Sequence, residues 1–146
     1  METKTLKIRN VIFWALVVFF AALVAGIANR WMFWGHRMPL LGFALGFAII
    51  AVVFCALAAA LVILTLKLKE PLIQRIFFLL TGASAVGIPI CAILHNLVYG
   101  LFFHGKDGDE AVFFILAVIV CPALFVLGAL GSIVLLISAK SRKKES

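Results

Sequence analysis

One apolar stretch of the sequence carries an unusual share of reactive side chains. Between Thr81 and His104 it holds Cys91, His95, Asn96 and Tyr99, together with Pro89. Cys91 and His95 are spaced i, i+4, which puts two side chains on one face of a helix. Two such donors can share a metal ion. Cys121, from a later stretch, would complete a Cys2His set of the kind that suits a transition metal. Alternatively, His95, Asn96 and Tyr99 could hold a quinone headgroup or relay a proton. A single membrane histidine cannot supply both axial ligands of a bis-histidine haem, so a cytochrome b reading is weak. The plainer reading is structural and is the leading one. In it a neutral His95 bonds a carbonyl freed by a proline, and Asn96 bonds across to a neighbouring helix. An ionisable residue inside a membrane is costly, which is why the site is a functional candidate at all.

Other chemistry is missing. The sequence has no HExxH, no GxSxG, no P-loop and no paired acids within an apolar run. All six acidic residues lie in terminal or connecting segments. An ion-coupled transporter normally needs an intramembrane acid or a conspicuous polar pathway, so transport by one chain is disfavoured.

The elements that would position these residues follow from composition. The chain has 146 residues, 66% of them hydrophobic and 13% charged. Soluble domains are about 45–50% apolar and about 25% charged, so that class is excluded. Four runs approach or exceed the roughly 20 apolar residues that a spanning helix needs. They are Val11–Ala28, Leu40–Leu66, Ile76–Phe103 and Ala111–Ala139, followed by a basic tail at 140–146 that is expected to be disordered. The first run is longer than the apolar core of a signal peptide, so it reads as a retained helix. Glu70-Pro71 marks the end of the second helix, because proline disfavours helix at the residue before it.

The net charge is +7, and ten of the thirteen basic residues fall before the first run, between the second and third, or after the fourth. The positive-inside rule then places both termini in the cytoplasm. These short basic segments suit anionic lipid headgroups, and they form no aromatic-rich patch of the kind that binds nucleic acid. The first outer connection, residues 29–39, carries Trp31, Phe33 and Trp34, which fit headgroup depth. In the second, His104, Asp107, Asp109 and Glu110 could form a metal site, but a turn followed by an N-cap at Asp109 explains them better. Cys55, Cys91 and Cys121 all lie in apolar runs and read as free, buried thiols.

Small residues recur at helical spacing, as close packing between membrane helices requires. Ala15, Ala22 and Gly26 line one face of the first helix, continuing to Asn29. Gly42 and Gly46 begin one stripe of the second helix, and Ala51, Cys55 and Ala59 belong to another. Gly87 lies on the third helix, and Cys121, Gly128 and Ser132 line the fourth. On the third, Ser84, Gly87, Cys91, His95, Tyr99 and Phe102 share one arc, and aliphatics fill the other. A mirror through Asp107 pairs His95 with Ile119 and Cys121 with Ile93, which would bring His95, Cys91 and Cys121 close together.

These observations lead to an all-α, polytopic integral membrane protein. Its four transmembrane helices form one compact bundle with both termini cytoplasmic, in the cell membrane. The expected role is a non-enzymatic accessory or interaction subunit, within a homo-oligomer or larger membrane complex, with no cofactor. The alternatives are a small-ligand, quinone or metal-binding protein using the third helix, and an oligomeric channel or transporter.

Overall fold

The computed structural model describes the backbone at residues 2–33, 40–103 and 111–145, and side chains at 4–28, 49–103 and 111–141. The described residues are helical throughout and contain no strand. Helix α1 spans Glu2–Phe33 and α2 spans Leu40–Lys67. Helix α3 spans Leu72–Val98 and ends in a π-helical turn at Tyr99–Phe103. Helix α4 begins at Ala111–Ile115, passes through a π-helical turn at Leu116–Val120 and continues through Cys121–Glu145. Each of the four is long and apolar enough to cross a membrane.

Two helices outrun their apolar stretches. Helix α1 starts at Glu2 and takes in Lys4, Lys7 and Arg9, which had been expected to precede it. Helix α4 reaches Glu145, so the tail expected to be disordered is its final turns. The cause is the same at both ends. Lys, Arg, Leu, Ala and Glu are strong helix formers, and hydropathy marks where a helix meets lipid rather than where it stops. The basic tail also sits at the negative end of the α4 dipole.

The turn between α2 and α3 is short. Leu68 N–H donates to Thr65 O, and Pro71 precedes the first residue of α3 with its carbonyl accepting from Arg75 N–H. Proline suits this place because its missing N–H would have had no helical partner. Helices α2 and α3 therefore run antiparallel, and α3 also packs along α4. Helix α1 lies against α2 and shares no extended contact with α4.

The core is asymmetric along the helices. Toward the end where Glu2, Lys67, Leu72 and Glu145 lie, called here the terminal half, Phe13, Leu61 and Phe78 are fully buried. The rings of Phe13 and Phe78 meet edge-on at 5.1 Å. Midway, Phe20, Phe54 and Phe125 form an aromatic layer, with Phe20 and Phe125 only 4.2 Å apart. Backbones come close at two glycines. A Cβ on Gly128 would stand 2.7 Å from the Thr81 backbone nitrogen, and one on Gly82 would stand 3.2 Å from the Ala58 carbonyl oxygen. Only glycine permits α3 to approach α4 and α2 in this way.

Candidate functional site

Helix α3 carries its polar residues into three environments. At Thr81 and Ser84 the hydroxyls are buried and donate to carbonyls four residues back, those of Phe77 (2.9 Å) and Leu80 (2.6 Å). This local bond satisfies a hydroxyl in an apolar setting without help from a neighbour. Farther along, Gly87 opens space for Cys121, whose Sγ lies 2.9 Å from the position a Gly87 Cβ would occupy. The Cys91 and Cys121 thiols lie within hydrogen-bonding reach of each other, and both cysteines are half-buried and not joined in a disulfide. At the distal end, His95 is half-buried between Tyr99 and the Phe114 ring, whose centroids lie 6.4 and 5.4 Å away.

Two expectations need correcting. His95 faces Phe114 rather than Ile119, a displacement of more than one helical turn from the mirror through Asp107. Cys121 accordingly sits beside Gly87 and Cys91, away from His95. Among the described residues no three His, Cys, Asp or Glu side chains gather as metal ligands would. Among the described residues Asn96 does not bond across to another helix. Its Nδ2 donates to Ala92 O at 2.7 Å on its own helix, and the residue is exposed. Tyr99 is 40% exposed, so the polar arc turns outward over its last turns. His104, Asp107, Asp109 and Glu110, together with Trp31 and Trp34, lie outside the residues described in full. So do the side-chain environments of Gly42 and Gly46.

The prolines act differently. Pro89 lies within α3, which continues through it. Pro122 follows the π-helical turn of α4, where Cys121 N–H donates to Leu116 O five residues back. A proline has no N–H and its ring crowds the carbonyl four residues before it. Widening the preceding turn relieves that crowding and is a common way for a helix to absorb a proline.

The strongest polar cluster lies elsewhere, in the terminal half. Arg9 is fully buried and forms an ion pair with Glu70, whose side chain is 7% exposed. The pair joins α1 to the turn between α2 and α3. Arg9 also donates from Nη2 and Nε to Asn10 Oδ1 at 2.8 and 3.2 Å, and its guanidinium lies 3.8 Å above the Phe78 ring. Gln74 Nε2 donates to the other Glu70 oxygen at 3.3 Å. The planar, many-donor guanidinium suits this arrangement in a way a lysine ammonium does not. By sequence alone Arg9 reads as one of ten orienting charges and Glu70 as part of a helix stop. One signal was present: Glu70 is the lone acid in a connection that also holds Lys67, Lys69 and Arg75.

The distal half holds a cavity of about 520 Å3 between all four helices. Phe20 and Phe54 form part of its wall, and Pro89 and Pro122 both reach it. Every side chain lining it is apolar. No protein-family model, curated protein or solved structure matches the chain.

Proposed function

We propose that this chain is a multi-pass protein of the cell membrane, with its helices in one compact bundle and both termini in the cytoplasm. In this reading it acts as a non-enzymatic accessory subunit that binds a transmembrane helix of another chain or of a second copy. The observation that carries the reading is the outward face of α1. Ala15, Ala22 and Gly26 share one side of that helix and all three are exposed, with nothing within 4 Å of the Cβ position at Gly26. Such a stripe is what lets two membrane helices approach closely, and among the described residues no helix of the same chain covers it. The orientation rests on the basic residues that gather at the terminal end. There the exposed Lys4, Lys7, Lys67, Lys69 and Lys140 are placed to meet anionic headgroups.

The test is to cross-link the chain in native membranes and follow the complex on a native gel in mild detergent. Ala22→Leu and Gly26→Leu are expected to abolish the complex and leave the thermal midpoint unchanged. A chain that is monomeric in its own membrane, or a complex indifferent to both substitutions, would overturn the proposal.

A further inference from the structure

The distal cavity grades from an exposed rim to a buried floor. Val24 and Ile27 of α1 and Val118 of α4 belong to the rim and are half exposed or more. Phe54 and Ala117 line its depth and are buried. These exposed residues stand on α1 and α4, so the opening lies between these two helices, which share no extended contact among the described residues. Below, the contact between Phe20 and Phe125 closes the gap between those helices.

A hollow of this size falls within the roughly 300–1,000 Å3 usual for ligand sites. Water does not fill it stably, because a buried water needs two to four polar partners and the lining side chains offer none. Nor do the side chains collapse to close it. Pro89 and the widened turn before Pro122 set the shape of two walls, and Ala51, Ala92 and Ala117 are too small to reach across. An apolar void with a lateral mouth at membrane depth faces a solvent made of hydrocarbon chains at very high local concentration. Mass action then favours occupancy even when each contact is weak.

We infer that the cavity between α1 and α4 is a binding site for one lipid acyl chain, which enters sideways from the bilayer and ends against Phe20 and Phe54. The ligand class follows from the lining. No lining side chain can hydrogen-bond or pair with a headgroup, so the site takes the hydrocarbon and leaves the headgroup outside. His95 and Tyr99 do not line it, which separates this site from any quinone-headgroup role for those residues. The inference rests on membrane residence and is independent of helix binding by α1.

The experiment uses the full chain in nanodiscs of a phosphatidylcholine, with a small fraction carrying a photoreactive diazirine at the end of one acyl chain. After irradiation, labelled peptides are mapped by mass spectrometry. Labelling is expected to concentrate on Phe20, Phe54 and Ala117, well above that at Ile93, Leu127 and Ile137, which lie exposed outside the cavity. Ala117→Phe fills the cavity and is expected to lower labelling at Phe20 and Phe54 several-fold without changing it at Ile137. Val118→Trp narrows the mouth from an exposed position and is expected to do the same, so a failure of Ala117→Phe to fold leaves a second route. Even labelling along all exposed faces would overturn the inference. So would cavity labelling that neither variant reduces, or labelling by a diazirine isoprenoid in the same discs that excludes the acyl probe.

Discussion

Around Arg9 the helices touch through charge, ring faces and bare backbone, whereas at the level of Pro89 and Pro122 α3 and α4 still meet at Gly87 and Cys121 but α1 and α4 stand apart. In the terminal half, α1 is held by the Arg9–Glu70 pair and by Phe13 against Phe78. Glycines there bring α3 within van der Waals reach of α2 and α4. In the distal half the same four helices enclose a hollow, while Asn96 turns to its own backbone and Tyr99 toward the exterior. The fold is specified in the terminal half and open to a guest in the distal half. Buried charge and glycine contacts permit one register, while an apolar hollow between alanines and prolines can accept a guest without disturbing that register.

The largest loss is expected at Glu70. Glu70→Ala leaves Arg9 buried without its partner and is expected to cost about 3–5 kcal/mol, read as loss of resistance to denaturation in detergent. Arg9→Met combined with Glu70→Leu should recover most of that loss, because the pair is then replaced by apolar packing rather than half removed. Next comes Gly128→Ala, whose new methyl would press on the backbone and hydroxyl of Thr81. The expected destabilisation is about 1–3 kcal/mol, measured in the same way. Gly26→Ala, where nothing lies within 4 Å, is its distal control and should stay within about 0.5 kcal/mol. The smallest effect belongs to Ser132, a fully buried residue whose hydroxyl finds no hydrogen-bond partner among the described residues. Ser132→Ala should be neutral or slightly stabilising, since it removes an unsatisfied group. A clear loss there would mean that the terminal half relies on a polar contact at Ser132.

The all-helical character and the number of spanning helices were legible because apolar length alone determines them. The faces of α3 and α4 that meet are readable at helical spacing, but not their register: the sequence sets Cys121 level with Ile93, and it lies beside Gly87. The metal-like trio was not legible, because it depended on register. A mirror through Asp107 assumes that both helices advance evenly from the loop, and Tyr99–Phe103 and Leu116–Val120 are π-helical turns. The Arg9–Glu70 pair was hidden for a different reason. Its members are 61 residues apart, and each already had a sufficient local explanation. The cavity had no sequence signal at all. It is defined by where side chains are too short to reach, and that depends on the spacing of four helices rather than on any one of them.

The separation between Arg9 and Glu70 also bears on the order in which the chain is built. Synthesis delivers Arg9 to the membrane long before Glu70 exists, and an unpaired arginine is held toward the headgroups. Helix α1 therefore cannot take its final seat until α2 has crossed and the turn after it has emerged with its carboxylate. Docking α1 is a late event of assembly, and a chain halted before Glu70 would leave its first helix inserted but unmoored.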